Sequence, residues 1–118
     1  LIMNWINKKE TVIEFPHYVR DNIYIDKLST YYYKMIFSKS NKVEFFPSGY
    51  CSSNRVFIDS LGNEFKKYFN LKPKIKYLKN VKTDQPLIRI NGNKILRKIK
   101  FKENLKQYFK YYKKLSIN

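Results

Sequence analysis

The chain has 118 residues, of which 43% are hydrophobic and 18% aromatic, and its formal net charge is +16. This length suits one domain with a single core, and the apolar content excludes a chain that is disordered by composition. A single cysteine and a single histidine exclude an internal disulfide and any Cys- or His-rich metal site. No long apolar run occurs, so no segment is predicted to span a bilayer.

The positive charge lies almost entirely in the second part of the chain. Residues 1–65 hold 8 Lys and Arg against 7 Asp and Glu, whereas residues 66–118 hold 17 against only Asp84 and Glu103. Repulsion among so many positive charges destabilises the compact folded state unless a polyanion neutralises them. Nucleic acid and anionic membrane are the polyanions that fit, and a solvated Lys-rich surface from biased coding is the alternative. The asymmetry favours nucleic acid.

The first third of the chain gives weak signals. Residues 1–13 fit either a short helix or an arm, and Pro16 ends any helix that precedes it. Residues 23–25 fit a strand, and the tyrosine run at 31–33 fits a helix that starts at Asp26. We predict residues 1–34 to be an N-terminal extension and residues 35–118 to be the folded domain.

The clearest pattern is a helix over residues 53–69. Ser52 or Ser53 is expected to cap it, because a serine hydroxyl accepts a hydrogen bond from a free N–H of the first turn. Residues 35–37 are predicted to lead through a turn into a strand at 42–46. One apolar face of the helix is predicted from residues at a helical spacing, namely Phe57, Leu61, Phe65, Tyr68 and Phe69.

Three strands and a second helix are predicted after this helix. Residues 74–81 alternate as a strand, with Ile75 and Tyr77 on one face. Residues 87–90 and 94–101 are predicted to form a hairpin around the turn at 91–93. The last helix covers residues 103–115, and its apolar stripe is predicted to contain Leu105, Tyr108, Phe109, Tyr112 and Leu115.

This order, β-α-β-β-β-α, predicts an α/β fold with a mixed four-stranded sheet packed by two helices. The strand–helix–strand unit favours a right-handed crossover and a parallel strand pair. The arrangement is thioredoxin-like, and Pro86 stands directly before the third strand, where that fold usually has a cis proline. The Gln85–Pro86 bond is therefore our candidate for a cis peptide, and an ordinary trans proline at a strand start is the alternative.

Four stretches carry a family resemblance. They are the Ser-Ser-Asn-Arg entry at 52–55, the Phe-Ile-Asp-Ser-Leu and Glu-Phe pattern within 57–65, the passage at 70–77, and Pro-Leu-Ile-Arg-Ile-Asn-Gly at 86–92. Together they resemble the thioredoxin-like family shared by two mitochondrial ribosomal proteins and an accessory subunit of respiratory complex I. The double serine and the Asn-Gly turn make the large-subunit ribosomal member the best fit.

The resemblance implies a structural constituent of the mitochondrial large ribosomal subunit, located in the matrix. Its expected partners are rRNA and neighbouring mitochondrial ribosomal proteins, with no cofactor and no small-molecule substrate. The small-subunit ribosomal relative is one alternative. The complex I accessory subunit, a protein-interaction module, is another, although such a subunit has no need of a half-chain with a net charge of +15.

Catalysis is not expected from these residues. Cys51 precedes the long helix, but Asn54 and Arg55 follow where a second thiol is needed, and disulfide exchange lacks its resolving cysteine. Cys51 is therefore predicted to be a buried small residue. A homing-type nuclease would need acidic residues at a helix end to hold metal, and none is found. We predict that the protein is not an enzyme.

The predicted RNA-binding residues form three groups and include two single arginines. Arg55 and Arg89 are expected to bind phosphate bidentately. Tyr111 and Tyr112 are candidates for base stacking, with core packing favoured for Tyr112. Each lysine alone fits a solvated surface, but the groups have almost no acidic neighbours. The groups are Lys72, Lys74, Lys76, Lys79 and Lys82; Arg97, Lys98, Lys100 and Lys102; and, on one face of the last helix, Lys106, Lys110, Lys113 and Lys114.

Overall fold

Nine helices and strands make up the part of the chain that the computed structural model describes, which is residues 1–39, 46–79, 81–92 and 94–116. The strands are two to four residues long, and the longest helix has 16 residues. In chain order the elements are α1 (Ile2–Ile6), β1 (Thr11–Ile13), β2 (Val19–Asn22), α2 (Ile25–Ile36), β3 (Tyr50–Ser53), α3 (Asn54–Phe69), β4 (Ile75–Tyr77), β5 (Ile88–Arg89) and α4 (Leu105–Leu115).

The described strands form two small sheets. β1 and β4 pair in parallel, with Thr11 opposite Ile75 and Ile13 opposite Tyr77. β2 is the middle strand of the second sheet, antiparallel to β3 and parallel to β5. The predicted α/β class with a mixed sheet is therefore confirmed, but the strands are divided into sheets of three and two rather than joined in one sheet of four.

The predicted hairpin of residues 87–90 and 94–101 is wrong. β5 pairs with β2, and among the described residues the later segment pairs with the sheet by a single parallel bridge from Leu96 to Ser52. Arg97 interrupts the face that carries Ile95, Ile99 and Phe101, and Phe101 packs against Tyr50 and Phe57 rather than against a strand at 87–90. The predicted cis peptide is also wrong, because every peptide bond of the described residues, Gln85–Pro86 included, is trans.

The segment after the tyrosine run also differs from its prediction. Met35 and Ile36 complete the last turn of α2 instead of leading to a strand. A helix that begins near Asp26 and includes the tyrosines is the alternative that the structure confirms. The strand predicted at 42–46 lies outside the described residues, apart from exposed Phe46.

The first 34 residues contribute to both sheets. β1 pairs with β4, and β2 holds β3 and β5 together. Arg20 also secures a later loop, because its guanidinium donates to the carbonyl oxygens of Leu87 at 3.1 Å and Pro86 at 3.2 Å. The division of the chain at residue 34 stays a prediction about independent folding units.

α3 begins and ends as its sequence predicts. The Ser53 hydroxyl accepts a hydrogen bond from the Val56 N–H at 3.3 Å, which confirms the predicted cap. Asn70 ends the helix in the left-handed conformation, with φ 53. The apolar face is confirmed as well, since Phe65 is fully buried and the other four predicted residues pack around it.

An aromatic cluster joins the first, the longest and the last of the described helices. Trp5 of α1 meets Phe65 of α3 edge-on at a centroid distance of 5.2 Å, and Phe65 meets Phe109 of α4 at 5.9 Å. All three side chains are at most 2% exposed. Burial of rings this large, in edge-to-face contact, dominates the energetics of a small core.

The Asp21 carboxylate joins β2 to two turns. Its Oδ1 accepts a hydrogen bond from the Gly49 N–H at 2.6 Å, and its Oδ2 accepts from the Ser48 hydroxyl at 2.7 Å and the Gly92 N–H at 3.1 Å. Position 49 requires glycine, because a Cβ there would lie 2.2 Å from the backbone oxygen of Asn22. Burial raises the pKa of Asp21, but the hydrogen bonds outweigh burial and leave this pKa below its ordinary value of 3.8.

The chain exposes more surface than a compact monomer of its size. Its accessible area is 9372 Å², whereas a folded monomer of 14.4 kDa exposes about 6,800 Å². Its radius of gyration is 16.6 Å, against about 13.5 Å for a compact domain. α2 has no buried residue, and Tyr33, Ile36 and Phe37 on it or at its end are 64%, 70% and 66% exposed. No helix in the described ranges has the length and apolar character needed to cross a membrane.

Trp5→Ala tests whether the N-terminal residues belong to the core. We expect this change to lower the free energy of unfolding by about 3–5 kcal/mol, because it empties a fully enclosed site. Ile36→Ala, at an exposed site, should change it by about 0.5 kcal/mol or less. Urea denaturation followed by circular dichroism gives both values. Equal and small effects would show that residues 1–34 are an appended arm.

Asp21→Asn tests the carboxylate that joins β2 to the turns. The amide cannot accept all three hydrogen bonds, so we expect a loss of about 1–3 kcal/mol at neutral pH. In the native chain the lowered pKa supplies stability that is present above pH 3.8 and is lost as the pH falls through the folded-state pKa below it.

The measurement is denaturant unfolding from neutral pH to below 3.8. The native chain should lose stability on the acid side, and Asp21→Asn should lose less there. Asp84→Asn, in an exposed loop, is the control and should follow the native profile. An unchanged acid profile in Asp21→Asn would contradict the assignment.

Candidate nucleic-acid interface

All thirteen predicted RNA-binding residues are exposed, as are Lys79 and Lys82. They are not one patch. The first group lies before, along and after β4, which belongs to the two-stranded sheet, while the second group follows the bridge from Leu96 to the three-stranded sheet and leads into the third group on α4. The second and third groups are therefore continuous along the chain, and the first group is separate.

α4 presents the densest group of cations. Its start is capped by Asn104, whose side-chain oxygen accepts a hydrogen bond from the Lys106 N–H at 3.3 Å. Phe109 is 1% exposed and Leu105 packs against the core, so α4 turns its apolar stripe inward and the side away from the centre of that stripe outward. Lysines near the helix C-terminus also interact favourably with the helix dipole. The outward face carries Lys106, Lys110, Lys113 and Lys114.

These lysines have no acidic partner among the described residues. The two ion pairs found there are Arg55 with Asp59 and Lys67 with Glu64, and neither involves α4. Charges of one sign at this spacing repel each other. A polyanion bound along the helix would relieve that repulsion, and the lysines would release the counterions that the polyanion holds.

The segment at 97–102 is held at both ends by the sheet. The Leu96 N–H donates to the Cys51 carbonyl at 2.7 Å, and the Lys102 N–H donates to the Tyr50 hydroxyl oxygen at 2.8 Å. That hydroxyl donates in turn to the Glu103 carboxylate. Burial, followed by this carboxylate, raises the pKa of Tyr50 and keeps the phenol protonated. The side chains of Arg97, Lys98, Lys100 and Lys102 stay exposed on a fixed backbone.

The two single arginines have different surroundings. Arg55, at the start of α3, lies 3.7 Å from Asp59 and stacks its guanidinium 5.0 Å from the centre of the Tyr77 ring. The Tyr77 hydroxyl donates to Asp59 at 2.6 Å, and burial followed by this carboxylate raises the pKa of Tyr77. A phosphate must therefore compete with Asp59 for Arg55. Arg89 is exposed on β5 and has Arg20 as its pairing partner across the sheet.

Tyr111 and Tyr112 differ in exposure, in the direction that the sequence predicts. Tyr111 is 60% exposed, whereas Tyr112 is half-buried and lies 6.5 Å from the Tyr108 ring. Tyr111 is thus the more available of the two for stacking on a base.

A groove of about 720 Å³ brings the second and third groups together. Its walls come from the C-terminal half of α3, residues 100–105 and the first turns of α4. Lys100 and Lys106 line it, and so does Lys67, which sequence reasoning missed because Glu64 lies three residues before it and balances its charge. The density of basic residues around 66–67 is the signal that would have identified Lys67.

Cys51 is 2% exposed and packs as a small core residue, which confirms its predicted burial. Burial, with a smaller contribution from Asp21, raises the pKa of its thiol and opposes formation of the reactive thiolate. Across the described ranges, no three His, Cys, Asp or Glu side chains are grouped so that they could hold a metal ion.

Comparisons with known proteins do not extend this description. No protein-family model, no curated protein and no solved structure matches the chain.

Proposed function

We propose that this chain is a structural, non-catalytic RNA-binding protein of the mitochondrial large ribosomal subunit. The observation that carries RNA binding is the outward face of α4, where four exposed lysines have no acidic partner in the described part of the chain. Lysines act on phosphates as point charges, and folded RNA is bound largely by charge and shape. Arg97, Lys98, Lys100 and Lys102 extend the same surface.

A membrane surface fits the same charge less well. An interfacial helix places its apolar face in the lipid and its lysines at the headgroups. The apolar stripe of α4 is instead used inside the protein, where Phe109 is 1% exposed and Leu105 packs against the core. Binding to anionic lipid would therefore depend on charge alone.

The large exposed surface supports a place in an assembly. The excess over a compact monomer is about 2,500 Å², which is comparable to the area that a stable protein–protein interface buries. The exposed side chains include the aromatic residues of α2 and its end, among them Tyr32, Tyr33 and Phe37. We assign this face of α2 to contacts with neighbouring ribosomal proteins.

The ribosomal and mitochondrial parts of the proposal come from the family resemblance. In the described part of the chain, the order β3, α3, β4, β5 and α4 lacks the last strand of the thioredoxin-like arrangement, β-α-β-β-β-α, that this resemblance implies. The pairing of β4 with β1 departs from it, because the arrangement would place β4 beside β3. The small-subunit relative remains the alternative within the same class.

Replacing three α4 lysines tests RNA binding. Lys110→Gln, Lys113→Gln and Lys114→Gln together should weaken binding to a structured rRNA fragment. They should also reduce the slope of log K against log salt by about 2–3, since each lost phosphate contact removes about 0.7–0.9 from that slope. The matched control replaces Lys9, Lys34 and Lys39, which are exposed in the half of the chain with little net charge. Equal effects of the two triple variants would contradict a specific role for α4.

Sedimentation of the tagged chain from a detergent lysate of mitochondria tests the assignment to the ribosome. We expect it to migrate with the large subunit and to leave that position after ribonuclease treatment. Migration with the small subunit would favour the small-subunit relative. Migration with a membrane complex that is insensitive to ribonuclease would overturn RNA binding.

A further inference from the structure

The groove between α3 and α4 differs chemically from the outward face of α4. The groove combines three lysines, one of which is Lys106 of α4, with two carboxylates, Glu64 and Glu103, and with aromatic walls, whereas Lys110, Lys113 and Lys114 of the outward face lie outside it. Its volume of about 720 Å³ lies within the range of about 300–1,000 Å³ that small-ligand pockets occupy. The residues that matter here are Lys67, Lys100, Lys106, Tyr68 and Phe101.

Two of the groove lysines are available to an anion. Glu103, the carboxylate nearest to them in sequence, already accepts hydrogen bonds from the Tyr50 hydroxyl and from the Lys102 N–H at 3.2 Å. Glu64 pairs with Lys67 at 2.7 Å. Lys100 and Lys106 form no ion pair within the described residues, and both are exposed. A phosphate group would therefore pair with Lys100 and Lys106 without displacing a carboxylate from either lysine.

The aromatic walls are fixed from behind by the core. Tyr68 is half-buried, with its ring 5.5 Å from that of Phe109, and Phe101 packs edge-on against Tyr50 at 5.1 Å and Phe57 at 5.7 Å. Because these rings are already fixed, binding a planar group against them costs little side-chain entropy. Lysines along a groove with aromatic side chains are the combination by which proteins bind single-stranded nucleic acid.

We propose that this groove binds an unpaired nucleotide of RNA, with the base against Tyr68 and Phe101 and the flanking phosphates at Lys100 and Lys106. The inference rests on the proposed RNA binding and adds the kind of RNA bound. Bases inside a continuous duplex are stacked on each other, and only a loop, a bulge or a strand end offers a free base face. The outward face of α4 would hold adjacent duplex by charge.

The test compares two RNA probes on the full chain by fluorescence anisotropy. One probe is oligouridine, and the other is a blunt duplex with the same number of phosphates. Tyr68→Leu should weaken oligouridine binding about 5- to 150-fold, the range for loss of one stacked base, and should leave duplex binding within about 2-fold. Tyr68→Phe, which keeps the ring, should bind oligouridine like the native chain, and unchanged duplex binding by Tyr68→Leu shows that this variant keeps its fold.

Matched controls locate the effect. Tyr33→Leu, at an exposed tyrosine of α2, should leave oligouridine binding unchanged. Tyr111→Leu addresses the competing stacking residue on α4, and a larger loss there than in Tyr68→Leu would overturn the proposal. Photocrosslinking of 5-iodouridine oligonucleotides to Tyr68 or Phe101 would support it, and crosslinking confined to Tyr111 would overturn it.

The outcomes separate the two proposals. If duplex binds but oligouridine binds no differently in Tyr68→Leu, the groove assignment fails and the proposed function stands. If neither probe binds the native chain, the proposed function fails, and the groove assignment fails with it.

Discussion

Three aromatic rings hold this protein together, and they come from its first helix, its longest helix and its last helix. Trp5, Phe65 and Phe109 enclose one another so completely that each is at most 2% exposed. Four residues make up the buried apolar cluster of the described chain, Ile58 being the other. With so few, each ring carries a large share of the burial energy. The orientation of α4 follows from this contact, because the face that holds Phe109 must be turned inward.

The electrostatic surface is a consequence of that orientation. When the apolar stripe of α4 is used in the core, the lysines on the opposite side are presented to solvent as a row. The preceding segment adds more cations on a backbone fixed by Tyr50 and Cys51. Packing thus assembles a surface whose charges repel each other, and the protein gains from any polyanion that covers it. Stability and the proposed RNA binding therefore depend on the same helix.

Local patterns predicted local features well. The cap at Ser53, the apolar face of α3 and the inward side of β4 follow from spacing and from side-chain chemistry close in sequence. So does the inward packing of Leu105 and Phe109 on α4, although Leu115 of the predicted stripe is 45% exposed. The strand pairing does not, because β2 joins segments on both sides of α3 through contacts that no local pattern encodes. The Asn-Gly turn predicted a hairpin, but β5 pairs with β2 instead. The exposed lysines of the candidate site were predictable from composition. The groove was not, since Lys67 meets Lys100 and Lys106 only in the folded chain.

The hydrogen bond from Gly92 to Asp21 spans 71 positions of sequence, and this has a consequence for biosynthesis. A ribosome delivers a chain from its N-terminus, so β2 is released long before the turn that Asp21 binds and before β5 exists. In the same way, β1 is released before its partner β4, and Trp5 is released before Phe65. Contacts this distant form slowly, and unpaired strands with bare aromatic residues favour aggregation. Newly made chains should therefore depend on a chaperone, or on immediate assembly, until the basic C-terminal helix has been released.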